Sequence, residues 1–403
     1  MKTSLLYASP FPPQKSGIST YSDLLVRGLG EFFNLTLLVH ECEIDPKQYP
    51  GVRILRYADP IPWDTFDHKL YNIGNNPWYH AYIYEACLRH PGTVILHESV
   101  LYFLYVGYYQ TRDSFYQQVF EQEGALGVAM LKAAKKAGND LLQFKTPELL
   151  PFNRELFHSG NSFLTHSQIC VNAVRTRAGR PVRVQQINMP VEPPPSPEMG
   201  RRRLLRRLGL PENTLLAASF GFIAPTKQNH IVCEAVNRVN RTGKGPVLYL
   251  MVGEGGYVDS YLGDTIRKTG FVSDALYEDY LASVDLVVNL RYPSMGETSL
   301  ALLRAMSFGK PCVVSDDGWF SELRENTVLK LEARPGEMLR EMLCEVFDLC
   351  LTRPEALAQI GHNARHYIQS DFSLGRVSEQ IAQFLLKPAK AVESGLHAAR
   401  ASA

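Results

Sequence analysis

No stretch of this chain is apolar over the ~20 residues that a helix needs to cross a bilayer. Nor does it start like a secretory leader, because prolines cut short the apolar run in MKTSLLYASPFPP. The seven cysteines are scattered and form no CxxC pair. That argues against a zinc site or a disulfide framework and for a reducing compartment. Neither sign of charge dominates, since 42 Lys and Arg stand against 41 Asp and Glu. The resulting net charge of +1 leaves no electrostatic footprint for nucleic acid. A DxD-type acidic pair in a convincing loop is also missing, and Ser315-Asp316-Asp317 reads better as a helix entry. These absences set the expectation of a soluble cytoplasmic protein, at most peripheral at the inner membrane face, with no metal site.

What is present is an ordinary globular composition, 45% apolar and 21% charged, over a length of 403 residues that suits two domains. The chain is organised around NLRYPSMGETSLALLRAMSFGKPCVVSD, residues 289–316. This reads as a strand end, a glycine-bearing turn, a helix apolar on almost every side from Leu300 to Phe308, a glycine stop and a second strand. Gly309 ends the helix, Pro311 blocks its continuation, and Cys312 to Val314 suit a buried parallel strand. Just before the helix, Thr298 and Ser299 offer free backbone N–H groups and two hydroxyls. Such a helix start is an anion site, most often for a phosphate.

This stretch resembles the donor-binding segment of retaining glycosyltransferases with the GT-B fold, glycosyltransferase family 4. The match is close in RAMSFGKPCVVSD. In the first half the leading Glu of the family pattern appears as Glu297, one residue late, and Arg304 holds the place of the second Glu. The resemblance implies an α/β fold with two Rossmann-like domains facing each other across a cleft. It also implies transfer of a sugar from a nucleoside-diphosphate donor to an acceptor hydroxyl, with retention of anomeric configuration and without a metal or other cofactor. Arg304 puts the family's ribose contact in question, because a cation only donates hydrogen bonds where a carboxylate accepts them.

Taken in order, Ser4 to Ala8 reads as a strand, and a loop carrying Gly17 leads into a helix from Thr20 to Gly30. Gly17 is a candidate for close approach to a diphosphate, and an ordinary βα loop is the bland account of it. Further strands are expected at 35–39, 52–56, 70–73 and 93–97, with a helix from Pro77 to Arg89. His97 and Glu98 fall at a strand's carboxyl end, where open α/β sheets bind ligands. The resemblance gives His97 the contact with a hydroxyl of the transferred sugar. Asn75 and His80 are candidates for the acceptor side, with turn chemistry an equal account of Asn75 and Asn76. The aromatic stretch 101–109 and Lys132, Lys135 and Lys136 near Leu126, Met130 and Leu131 fit either a peripheral membrane contact or an aromatic core with a solvated lysine face.

Val182 to Ile187 is expected to be the last strand of an N-terminal, acceptor-side domain (1–190). A proline-rich linker (191–199) follows. The donor domain (200–372) begins with a helix from Arg201 to Leu208 and a strand from Leu215 to Gly221. By the resemblance, Lys227 falls on the lysine that grips the donor diphosphate. Phe222 replaces the usual arginine, and Arg291 stands nearby as a substitute cation. GEGG at 253–256 reads as a tight turn, and Gly270 to Val272 as a short strand. The resemblance lays that strand against the nucleoside, so Phe271, Val272 and Arg304 are the candidate nucleoside contacts. A final helix (373–388) is expected to cross back to the first domain, followed by a frayed tail (389–403). Glu297 and His97 are the candidate catalytic residues. A nucleotide-sugar epimerase, another GT-B enzyme or a non-catalytic nucleotide-sugar-binding subunit are the alternatives.

Overall fold

The computed structural model describes residues 2–40, 42–196, 200–243 and 245–387. The expected tail at 389–403 therefore lies outside the described residues. The first elements are β1 (Ser4–Ala8), α1 (Gly17–Leu29), β2 (Asn34–Val39), β3 (Arg53–Arg56), β4 (His68–Ile73) and α2 (Pro77–Arg89). They are followed by β5 (Thr93–Leu96), α3 (Tyr102–Tyr109), α4 (Phe115–Lys136), α5 (Arg154–His158), β6 (Ser162–Thr165), α6 (Gln168–Arg177) and β7 (Val184–Gln186). The second half runs α7 (Arg201–Leu208), β8 (Leu215–Phe220), α8 (Asn229–Thr242), β9 (Val247–Val252), β10 (Ile266–Lys268), α9 (Asp274–Ser283) and β11 (Leu286–Asn289). It closes with α10 (Leu300–Ser307), β12 (Cys312–Ser315), β13 (Leu329–Leu331), α11 (Glu337–Thr352), α12 (Pro354–Asp371) and α13 (Leu374–Leu386).

The chain divides into two compact units, residues 1–190 with 295–298 and 374–403, and residues 191–294 with 299–373. Each is built on one parallel sheet, seven strands in the order β3-β2-β1-β4-β5-β6-β7 in the first unit and six in the order β10-β9-β8-β11-β12-β13 in the second. Apolar runs such as LLYA in β1 and LYLMV in β9 are buried on both faces, as parallel sheets require. In both sheets the strand order reverses beside the first strand, between β1 and β4 and between β8 and β11. At such a switch point the connections leave in opposite directions and open a crevice at the strands' carboxyl ends, where α/β proteins bind ligands.

In the second unit, α10 buries Leu302, Leu303 and Met306 completely. Each such side chain contributes ~1.5–3 kcal/mol relative to exposure. Gly309 terminates this helix at a φ of +71°. Helix α12 crosses close to it, and a Cβ on Gly361 would lie 2.1 Å from the Gly309 carbonyl oxygen. In the first unit α13 packs along α1, and Arg183 stacks on Phe384 with its guanidinium 3.9 Å from the ring centre.

One expected strand is corrected. Residues 270–272 form no strand, and the edge strand is Ile266–Lys268 instead. Pairing stops when the Thr269 amide bonds the Met251 carbonyl, and Gly270, at a φ of +71°, then turns the chain toward Ser273, the cap of α9. The described part of the proline-rich stretch, 191–196, has no regular secondary structure. Among the described residues no helix is long and apolar enough to cross a membrane.

Candidate functional site

In the second unit the switch point gathers positive charge. The loop after β8 brings Lys227 beside Arg291, which follows β11. Arg291 donates through Nη1 to Thr226 Oγ1 at 3.2 Å, and the Tyr292 amide donates to the Thr226 carbonyl at 2.8 Å. Lys227 Nζ donates to the Phe220 carbonyl at 3.0 Å. Burial lowers the Lys227 pKa from 10.5 to about 7, and the neighbouring Arg291 charge pushes the same way. Phe222, which stands where a second loop cation was expected, is 71% exposed.

Ser299 caps α10, its Oγ accepting from the Leu302 amide at 3.2 Å and from Asn289 Nδ2 at 3.0 Å. Arg304 is engaged with protein. Its Nη2 donates to Glu278 Oε1 at 2.8 Å and its guanidinium lies 4.5 Å from the Tyr277 ring centre. Tyr277 in turn packs edge-on against Phe220 at 5.0 Å. Phe271 is 66% exposed and Val272 half-buried, both in the bend before α9 rather than in a strand. The GEGG turn pairs back on the β8 loop, with the Ile223 amide donating to the Glu254 carbonyl.

In the first unit the segment 295–298 is held by three side chains far away in sequence. The Ser99 amide and hydroxyl donate to the Met295 carbonyl at 2.9 and 3.1 Å. Ser167 Oγ and Cys170 Sγ both donate to the Gly296 carbonyl at 3.2 Å. Gly296 sits at a φ of +85°, and a Cβ there would lie 2.6 Å from Ser99 Oγ, so only glycine fits. Glu297 Oε2 accepts from the Met295 amide at 2.6 Å, and the Thr298 hydroxyl lies 3.9 Å from Met189 Sδ. The candidate His97 is two residues from Ser99, so this packing gathers His97, Glu98 and the Gly-Glu-Thr turn into one region.

His97 itself is 5% exposed and its Nε2 lies 3.2 Å from Asn72 Oδ1. Its ring meets Tyr21 at 4.9 Å and His166 at 5.0 Å between centres. Burial holds its pKa well below 6.5. Gly17 opens α1 and is capped by Ser16, and a Cβ there would meet nothing within 4 Å. The protein's own packing therefore does not explain this glycine.

The acceptor-side candidates fare differently. His80 is 1% exposed, its Nδ1 bonded to the Asn72 carbonyl at 3.0 Å and its pKa lowered by burial to about 4. That is the environment of a satisfied core histidine, which corrects its expected place among acceptor contacts. Asn75 Oδ1 accepts from the Phe103 and Leu104 amides at 2.8 and 3.1 Å, so its side chain serves the start of α3. Asn76 caps α2. The α4 segment breaks at Gly124, whose φ is +70°; Phe120 is exposed before the break, and the part after it carries the lysines, buries Leu131 and exposes Leu126. Among the described residues no three His, Cys, Asp or Glu side chains converge as a metal-ligand set.

The residues most completely missed from the sequence are Asn72 and Glu278. A polar residue inside the buried strand HKLYNI was the available signal for Asn72. Glu278 gave none, because its partner Arg304 lies 26 residues away.

Residues 214–346, about a third of the chain, match the family described as glycosyl transferases group 1. The chain carries a glycosyltransferase group 1 domain. That domain places it among enzymes that transfer glycosyl groups. No curated protein matches the sequence significantly. Sucrose-phosphate synthase (tll1590) from Thermosynechococcus elongatus superposes with a TM-score of 0.66 at 14% identity, covering 99% of this chain and 100% of that one. Anabaena Alr3699/HepE, in complex with UDP and glucose, gives 0.62 at 16%, covering 95% and 99%. WaaG, a glycosyltransferase involved in lipopolysaccharide biosynthesis, gives 0.63 at 13%, covering 95% and 100%. At these identities the likeness fixes the fold, which is GT-B.

Proposed function

We propose that this glycosyltransferase-domain protein is a retaining, metal-independent enzyme of family 4 that moves a sugar from a nucleoside diphosphate to an acceptor hydroxyl. The observation that carries the reading is the pairing of Lys227 and Arg291 at the switch point of the second sheet. Nothing acidic pairs with Lys227 in the described contacts, and a diphosphate is the ligand that such a pair of cations suits. HepE structures hold UDP and UDP-glucose, which supports a nucleotide-sugar donor here.

In this reading Lys227, Arg291 and the Thr298 and Ser299 backbone amides stabilise the diphosphate as it leaves. Fixed donors of this kind are the largest catalytic contribution open to the protein, and losing one costs ~3 kcal/mol. Gly17 admits the diphosphate to the start of α1. Phe271 and Val272 lie along the base, while Arg304 is drawn onto Glu278, whose carboxylate can accept from a ribose hydroxyl. Glu297 and His97 accept hydrogen bonds from hydroxyls of the transferred sugar. The bond from the anomeric carbon to the phosphate oxygen breaks as the acceptor oxygen attacks from the same face. The acceptor's proton passes to the departing phosphate oxygen, so no side-chain base is needed. The exposed Phe120 and Leu126 with Lys132, Lys135 and Lys136 on α4 would serve a peripheral contact with an anionic membrane.

The test is proton NMR of the sugar first released when an α-linked nucleoside-diphosphate sugar is hydrolysed slowly by the protein in EDTA. The α-anomer at early times supports the reading. The β-anomer, or a strict need for a divalent metal, contradicts it.

A further inference from the structure

An ion pair lies close to the cation site of the second unit, and its remaining polar atoms form an ordered edge. Phe220, the last residue of β8, connects the two. Its carbonyl accepts from Lys227 Nζ at 3.0 Å, and its ring packs edge-on against Tyr277 at 5.0 Å between centres. The Arg304 guanidinium lies 4.5 Å from the Tyr277 ring centre and donates through Nη2 to Glu278 Oε1 at 2.8 Å. Both side chains of the pair are open to a ligand, at 24% and 28% exposure. Arg304 also follows Ser299, the cap of α10, by five residues, which is ~7.5 Å along the helix axis. A ribose bridges a step of that order between a phosphate and its base.

The pair is far from saturated. Arg304 spends one of the guanidinium's five N–H donors on Glu278. Its other donors, and Glu278 Oε2, bond no other described residue. A carboxylate offers about four lone-pair sites, so Glu278 keeps acceptors on both oxygens. Outward from Arg304, the pair therefore presents a donor, then Oε1 as an acceptor, then Oε2 as a second acceptor.

We propose that Arg304 and Glu278 determine which base the donor carries, and that this base is guanine. The Watson–Crick edge of guanine runs O6, N1–H and the 2-amino group, an acceptor followed by two donors. That is the complement of the pair at all three positions. Uracil presents acceptor, donor, acceptor, so its second carbonyl meets Glu278 Oε2 lone pair against lone pair. Adenine matches at two positions, with N1 on Arg304 and its amino group on Glu278, and leaves one carboxylate oxygen unpaired. Unstacked bases are read on this edge by side chains, and a site built on hydrogen bonds rejects a partner that leaves one unmade. Phe271, 66% exposed in the bend before α9, supplies an aromatic face on which the base stacks. Glu278 then serves the base rather than a ribose hydroxyl. The inference rests on the reading of this unit as the donor site.

Calorimetry on the full-length protein tests it with four free nucleoside diphosphates: GDP, UDP, ADP and xanthosine diphosphate. All carry the same ribose and diphosphate, so differences in affinity report the base. Xanthine keeps O6 and N1–H of guanine but places an accepting oxygen where guanine has its amino group. GDP is expected to bind at least about tenfold tighter than each of the others. Equal or tighter binding of UDP, ADP or xanthosine diphosphate overturns the proposal, and this comparison needs no variant. Glu278→Gln replaces one acceptor with a donating amide, so the preference for GDP over xanthosine diphosphate should shrink or reverse. An equal loss of affinity for all four nucleotides in the folded variant would return Glu278 to the ribose and overturn the assignment. If that variant misfolds, the wild-type comparison decides alone. Failure of all four to bind removes the donor reading and the base with it, whereas binding without a preference for guanine removes only the base.

Discussion

Replacing Lys227 should expose the charge chemistry of the donor site more sharply than any other change. Its ammonium has a pKa of about 7 because burial and Arg291 both disfavour the charge. A bound diphosphate favours the charged form, so it must raise that pKa. At pH 8, one unit above the folded value, roughly nine-tenths of the free protein carries neutral Lys227. Binding a nucleoside diphosphate, UDP in the first instance, should therefore draw about 0.9 proton per site from the buffer at pH 8. The terminal phosphate, with a pKa of about 6, is already ionised there and contributes little. Affinity should be nearly flat below pH 7 and weaken by up to about tenfold per pH unit above it. Removing the charge-assisted bond in Lys227→Ala should cost ~1.5–3 kcal/mol, or about ten- to a hundredfold in Kd. Lys227→Arg, always charged, should bind without proton uptake. Calorimetry at pH 8 in two buffers of different ionisation enthalpy measures the uptake directly. No uptake in the wild type, or undiminished affinity in Lys227→Ala, would refute the assignment.

Three further outcomes are expected. Glu297→Gln keeps an oxygen that can accept from the Met295 amide, so it should fold normally and lose transfer about 100-fold through the missing charge; a turnover assay near wild-type level would remove Glu297 from the chemistry. Arg304→Glu sets a second carboxylate against Glu278 and should cost ~1 kcal/mol of stability, whereas Arg304→Glu with Glu278→Arg should recover most of it; urea midpoints that fail to recover in the double variant would show that the pair is not coupled. Gly361→Ala drives a methyl group into the Gly309 carbonyl and should cost ~1–3 kcal/mol by overpacking, lowering the unfolding temperature by about 2–4 °C per kcal/mol; an unchanged melting curve would mean that α12 moves aside freely.

The parts of the fold that were legible in the sequence are those specified by neighbouring residues. The stretch from Asn289 to Asp316 announces strand, turn, helix, glycine stop and strand by periodicity and punctuation alone, and the structure follows it element for element. The helix Arg201–Leu208 and the strand Ser4–Ala8 were readable for the same reason. The segment 270–272 misled because Phe-Val after a glycine has strand propensity, while pairing to β9 had already ended at Thr269. The contact of His97 with Asn72 was invisible, because the two residues lie 25 apart, at different strands. The anchoring of the Gly-Glu-Thr turn depends on Ser99, Ser167 and Cys170, 126 to 196 residues away. His80 was misplaced because a histidine near a strand end looks the same in sequence whether its ring faces a ligand or a backbone carbonyl.

The central claim, that this chain binds and turns over a nucleotide sugar, is tested most directly by a single screen. The purified protein is offered UDP-, GDP-, TDP- and ADP-sugars in EDTA, and binding and release of free sugar are followed together. The account predicts that one nucleotide binds, that its sugar is released slowly without metal, and that Lys227→Ala weakens the binding about ten- to a hundredfold and slows the release. Failure to bind any of the four, in a protein shown to be folded, would contradict it.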